Sequence, residues 1–147
     1  MIEVEVSAVV NQTEDIEKVA IAIVNIFHGF ELDLDESMQK PRLMGSGEIS
    51  SLKVIHELFR KERVLDTARK QLEIGRSIDR MSTHFIINKQ VAFVNHLNFP
   101  AEEEPLGSIH INIKAGSEDE LDSLIDWLAP PTEEGIPQFE IDITEVK

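Results

Sequence analysis

The chain has 147 residues, 41% of them hydrophobic and 29% charged, with a formal net charge of −14 at pH 7. A chain of this length buries roughly 68–70% of the surface its unfolded form exposes, and the composition is that of a globular domain and excludes a disordered chain. Cysteine is absent, which removes disulfides, thiolate metal ligands and thiol nucleophiles and fits a reducing cytoplasm.

Residues 2–10 alternate and predict a first strand, with Ile2, Val4, Val6, Ala8 and Val10 on one face and Glu3, Glu5 and Ser7 on the other. The alternation of apolar and acidic residues at the N-terminus argues against a signal peptide, and the apolar stretch 19–27 is too short to cross a bilayer, so a cytoplasmic protein with no membrane partner is expected. Thr13 offers a helix N-cap, followed by Glu14, Asp15 and Glu17 where carboxylates suit the positive helix end. That helix runs to about His28, with Ile16, Val19, Ala20, Ile23, Val24 and Phe27 expected inside and Gly29 as the stop.

Residues 30–34 alternate as a second strand, 35–40 are turn-rich, and 42–47 form a short extended piece ending in two glycines. A helix starts at Ser50 or Ser51 with Leu52, Ile55, Leu58 and Phe59 at helical spacing. The rhythm slips before Val64 and restarts with Leu65, Ala68 and Leu72, so a broken helical pair ending at Gly75 is predicted, with Asp66 or Thr67 as the new cap. From Thr83 the pattern predicts strands at 85–87, 91–99 and 109–113, with a corner at Asn88-Lys89-Gln90. The segment 102–105 looks loosely ordered. Ser117 caps a last helix carrying Leu121, Leu124, Ile125 and Leu128, ended by Pro130 and Pro131. The tail 139–143 alternates, which fits an edge strand or an arm exchanged with a second copy over residues 137–147. With no repeat or dividing linker, the expected fold is a single α+β domain over residues 1–147, an antiparallel or mixed sheet with helices on one face.

Charge is unevenly placed. Residues 40–89 hold eleven of the fourteen Lys and Arg against six acids, a net of +5, while residues 1–39 carry −8 and residues 90–147 carry −11. Arg69, Arg76 and Arg80 would form one stripe on a continuous helix, and Arg60, Lys61 and Arg63 crowd the break between the helical pieces. Guanidinium forks suit phosphate contacts. A solvated helix surface paired with Glu57, Glu62, Asp66 and Glu73 explains the same residues without a ligand. Aromatic stacking platforms are scarce, with no Tyr and the one Trp at position 127, so shape and phosphate contacts would dominate over base readout.

Other chemistries find little support. The five histidines, at 28, 56, 84, 96 and 110, show no metal-ligand spacing. Gly45-Ser46-Gly47 fits neither a nucleophile elbow nor a phosphate loop, and no cofactor fingerprint occurs. The many carboxylates sit at helix starts and exposed strand faces.

The residues Leu43-x-Gly45, Ser51-Leu52 through Leu58-x-Arg60, Leu65-Asp66-Thr67-Ala68-Arg69, Asn88-Lys89-Gln90-x-Ala92, Pro105-Leu106-Gly107-x-Ile109 and Ala129-Pro130-x-Thr132-x-x-Gly135 span nearly the whole chain. In them it resembles a small archaeal family of uncharacterised proteins. That family is similar to predicted RNA-binding proteins and predicted exosome subunits, and its fold resembles the fifth large-subunit ribosomal protein. The resemblance implies an antiparallel sheet with helices on one side, contact with RNA, and Arg60, Asp66, Arg69, Asn88, Lys89 and Gln90 as candidate residues. Asn88 and Gln90 also fit a corner that satisfies backbone groups, Asp66 fits a helix cap pairing with Arg60 or Arg69, and Lys89 has no such evident duty. The acidity of this chain departs from an RNA-binding pattern.

The leading expectation is therefore a non-catalytic RNA-binding or RNA-processing accessory protein using Arg60, Lys61, Arg63, Arg69, Arg76, Lys89 and Gln90, with no metal and no cofactor. A homodimeric protein-interaction module is the alternative, and a small-molecule enzyme the third.

Overall fold

The computed structural model describes residues 1–37, 39–103 and 105–147. Met38, in the stretch 35–40 expected to be turn-rich, and Glu104, in the segment 102–105 expected to be loosely ordered, lie outside the described residues. Among the described residues no helix is long and apolar enough to cross a membrane.

A five-stranded antiparallel sheet has the order β2-β3-β1-β5-β4. Its strands are β1 (Glu3–Val9), β2 (Asp33–Asp35), β3 (Arg42–Gly47), β4 (Ser82–Ile87) and β5 (Ile109–Lys114). β1 lies at the centre, pairing Val6 with Gly45 of β3 and with Ile111 of β5. The even positions of β1 and the odd positions of β5 are buried, so one sheet face is apolar and closed while the other is half-exposed and polar. Against the closed face lie α1 (Ile16–Ile26), α2 (Lys53–Lys61), α3 (Leu65–Ile74), α4 (Lys89–Phe93) and α5 (Glu118–Leu128), sharing one hydrophobic cluster with the sheet. A small hairpin, β6 (Thr132–Glu133) with β7 (Ile136–Pro137), follows α5.

Several expected elements are displaced. α1 is capped by Asp15, whose side chain accepts from the Glu17 amide, rather than by Thr13. Its buried face carries Ala22 and Ile26, while Ile16 and Val24 are exposed; residues 19–24 are apolar without interruption, so periodicity alone left the inner face undetermined. The second strand is shorter and shifted to Asp33–Asp35. Phe30 leaves the strand pattern to stack on Phe27 at 5.7 Å, and its ring fills the space over Gly47, where a side chain would overlap it.

The largest correction is at residues 91–99. Apolar, β-branched composition predicted a strand, but the chain forms α4, capped by Asn88, whose side chain accepts from the Val91 amide at 2.9 Å. An N-cap plus packing on α1 outweighs strand propensity here, and Asn25 of α1 fixes the contact by donating to Ala92 O and Phe93 O. Likewise, the alternation at 139–143 produces no strand: Ile141, Ile143 and Val146 pack against the core, and Asp142 and Glu145 form a capping box on a 3-10 turn at Ile143–Glu145.

The helical break falls where the rhythm slipped. Val64 N–H donates to Phe59 O and Arg63 N–H to Arg60 O, the paired bonds of a Schellman motif, with Arg63 in the left-handed region at φ 56°. α3 then starts from Val64 without a side-chain cap, so neither Asp66 nor Thr67 serves as one.

Candidate nucleic-acid interface

Five cations of the central stretch are committed to acids. Arg60, in the last turn of α2, donates from Nε and Nη2 to the Glu140 carboxylate at 2.8 and 2.5 Å. The same guanidinium donates to the carbonyls of His56, Trp127 and Leu128 at 2.7, 3.2 and 3.2 Å. Arg69 Nη1 donates to Asp126 at 3.0 Å and to Ala129 O at 3.1 Å. α5 has no basic residue in its own last turn, so Arg60 and Arg69 satisfy its terminal carbonyls from outside and meet the negative end of its dipole. The pull of Arg60 holds the Glu140 carboxyl below its ordinary range.

Arg76, its side chain only 3% exposed, pairs with Asp122 at 2.7 Å and Glu73 at 3.6 Å and donates to Arg80 O at 2.9 Å. Arg80 pairs with Glu118 at 2.9 Å. α3 ends at Ile74, so Arg69, Arg76 and Arg80 do not share the stripe that a continuous helix would have formed; each meets an acid of α5 instead.

Lys89 is buried as a whole residue, backbone and side chain together, at 5% exposed. Its ammonium donates to Val9 O at 2.8 Å, Leu106 O at 2.6 Å and Glu14 at 2.9 Å, which uses all three of its donors. Burial pushes the Glu14 carboxyl up, but hydrogen bonds from Lys89 and Asn11 outweigh it and hold that carboxyl below the ordinary range.

Lys61, Arg63 and Gln90 are exposed. The side chains of Lys61 and Arg63 form no hydrogen bond or ion pair among the described residues, and the two residues flank the elbow between α2 and α3. Arg63 occupies the position where a helix end usually has glycine, at a cost of order 1 kcal/mol, and it borders a cleft of about 390 Å³ with Asp66, Thr132 and Glu134. Gln90, in the first turn of α4, lines a different cleft with Lys89 and Glu14.

The blocks that carry the family resemblance meet in space. Asp66 accepts from Thr132 Oγ1 rather than pairing with Arg60 or Arg69, which ties the α3 block to the hairpin block. Lys89 ties its block to Leu106. These bonds join elements of the fold, so the most specific residues of the resemblance have architectural duties, Lys89 included.

Spacing alone missed a pair of histidines. His84 on β4 and His110 on β5 approach across the half-exposed sheet face, Nε2 to Nδ1 at 3.1 Å, and His110 Nε2 meets Glu103 at 2.8 Å. Burial, and then the neighbouring His110, hold the His84 imidazole below its ordinary pKa. Among the described residues no group of three His, Asp or Glu gathers as for a metal.

The fold and this site define an α+β protein whose central cations serve mainly its own packing. A family model described as RNA binding matches residues 3–115. A UPF0201 protein of Methanosarcina acetivorans is 43% identical over 157 residues, covering 100% of this chain and 96% of that protein. One from Pyrococcus horikoshii is 39% identical, covering 92% and 94%. The crystal structure of a UPF0201 protein from Methanococcus jannaschii matches with a TM-score of 0.83 at 33% identity, covering 93% of this chain and 99% of that one. The chain belongs to this archaeal UPF0201 family.

Proposed function

We propose that this protein binds RNA weakly and without chemical turnover, through phosphate contacts at the α2–α3 elbow made by Lys61 and Arg63. The family model described as RNA binding carries the reading, since it spans the elbow. Arg60, Arg69, Arg76 and Lys89 take no part in the contact, because their donors are spent on carbonyls and acids. Exposed Lys53 and Lys70 on the same helical pair add attraction at short range, and Gln90 stays outside the elbow.

Two phosphate contacts correspond to a slope of log K against log salt of about −1.4 for single strands or −1.8 for duplex. Filter-binding titrations against both RNA forms above ~0.1 M salt should give such a slope for the wild-type chain and one near zero for the Lys61→Glu/Arg63→Glu double variant. Equal affinity and slope in both proteins would dispose of the elbow as the contact.

A second reading rests on an apolar patch. The packing of α4 on α1 brings Ile21, Val24, Phe93 and Val94 to the surface, each between 38% and 56% exposed, as a face for a protein partner such as a second copy. Light scattering tests this: a mass of two chains should fall to one in Val24→Glu, and a wild-type mass of one chain would exclude self-association.

A further inference from the structure

The half-exposed face of the sheet holds a feature that RNA contact at the elbow does not use. β4 and β5 pair His84 with Asn112 and Ile86 with His110, so the two imidazoles are diagonal neighbours on adjacent strands, where long side chains reach one another. The facing nitrogens are 3.1 Å apart. Two imidazoles bound to one zinc-sized ion at about 2.0–2.1 Å stand about 3.3 Å apart at the tetrahedral angle. The pair is therefore held close to the separation that an ion would require.

Two further observations point to a cation. The outer nitrogen of His110 faces Glu103 at 2.8 Å, the carboxylate–histidine arrangement that fixes a ligand's tautomer and aims its other nitrogen. The cleft of about 490 Å³ beside the pair is lined by Glu5, Glu31 and Asp33 against the one guanidinium of Arg42. Such a lining repels phosphate and attracts a positive ion.

We propose that His84 Nε2 and His110 Nδ1 bind a borderline divalent transition metal of the zinc and nickel class, with Glu103 as the positioning residue for His110. No third His, Asp or Glu joins the group among the described residues, so water or a ligand in the cleft completes the coordination. Both rings act as neutral ligands. His110 keeps its proton on Nε2 toward Glu103, His84 carries its own on Nδ1, and the metal replaces the hydrogen bond between them. Imidazole ligation selects against magnesium and calcium, which take oxygen ligands.

Isothermal titration of the full chain with zinc chloride, nickel chloride and magnesium chloride tests the site at neutral pH in a non-chelating buffer. One zinc or nickel ion per chain is expected, with no magnesium heat. His84→Gln and His110→Gln should each abolish binding, and Glu103→Gln should weaken it about 10–100-fold. All three positions lie at the surface, and circular dichroism confirms that the variants fold. The proposal is overturned by the absence of saturable heat up to ~1 mM metal, the weak end of specific association, or by unchanged binding in His110→Gln. Unchanged affinity in Glu103→Gln removes the role given to that carboxylate. RNA titrations in a chelator test the elbow separately, so the two proposals stand or fall apart.

Discussion

Replacing Lys89 by Met removes a buried charge while keeping the length of the side chain. In the wild type the ammonium satisfies Glu14, Val9 O and Leu106 O. After the change, Glu14 keeps the two bonds it accepts from Asn11, and Leu106 O keeps its bond from Asn11 Nδ2. Breaking a buried pair from one side costs about 3–5 kcal/mol. Because Asn11 compensates in part and Glu14 retains 16% of its side-chain exposure, the lower end, about 3 kcal/mol, applies. For a chain near 150 residues this lowers Tm by about 6–12 °C. The Glu14 carboxyl lies below its ordinary range in the folded state, so its contribution is complete above the unfolded pKa of about 4.3 and is lost as pH falls through the folded value. Thermal melts by circular dichroism should therefore show the full gap at pH 7 and a narrower one at pH 3. A gap under ~2 °C at pH 7, less than about 1 kcal/mol, or one of equal size at both pH values, would refute the account of Lys89 as an internal support.

Gly75→Ala should cost about 3 kcal/mol in urea unfolding, the upper end for overpacking, because the new methyl group would overlap the backbone carbonyl of His84, which cannot rotate away. Gly29→Ala is the control: its φ is 82° but its surroundings are open, so only the left-handed penalty of about 1–2 kcal/mol applies, and equal losses at the two sites would contradict the steric argument. His56 stacks on Trp127 at 4.5 Å with Nε2 buried and without a hydrogen-bond partner among the described residues; burial, and then the nearby Arg60, hold its pKa low against the opposing pull of Glu140 and Glu57. The unfolded state then binds more protons below about pH 6.5, so stability falls as pH drops through that value, and His56→Phe should flatten this part of a Tm–pH profile; parallel profiles would show that His56 is not the group responsible.

Local signals in the sequence were read correctly where one effect dominated. The alternation in β1, the cap at Ser117 and the rhythm slip before Val64 each placed a structural feature. Where two effects competed, the reading failed: residues 91–94 have strand composition but sit behind an N-cap and against α1. The site was less legible, because its partners are distant in sequence. Lys89 and Glu14 are separated by 75 residues, Arg60 and Glu140 by 80, Arg69 and Asp126 by 57, and His84 and His110 by 26. No spacing rule spans such gaps; the sheet order and the seat of α5 create them.

The basic centre and acidic flanks are thus largely complementary to each other within one chain. Glu14, Glu118, Asp122, Asp126 and Glu140 come from the flanks and meet Lys89, Arg80, Arg76, Arg69 and Arg60. On the proposed reading, RNA meets a short cationic elbow on a body of net charge −14. These two fields have different ranges. At about 0.01 M salt the Debye length is roughly 30 Å, so the whole anionic body repels a polyanion; at about 0.1 M it is roughly 10 Å, and the elbow acts almost alone. Affinity should accordingly flatten or fall as salt drops below about 0.1 M, where an ordinary basic RNA-binding surface would keep tightening. A plot of log K against log salt that stays straight down to about 0.01 M would mean that the net charge has no bearing on the contact, and that the surface meeting RNA is larger and more positive than Lys61 and Arg63 provide.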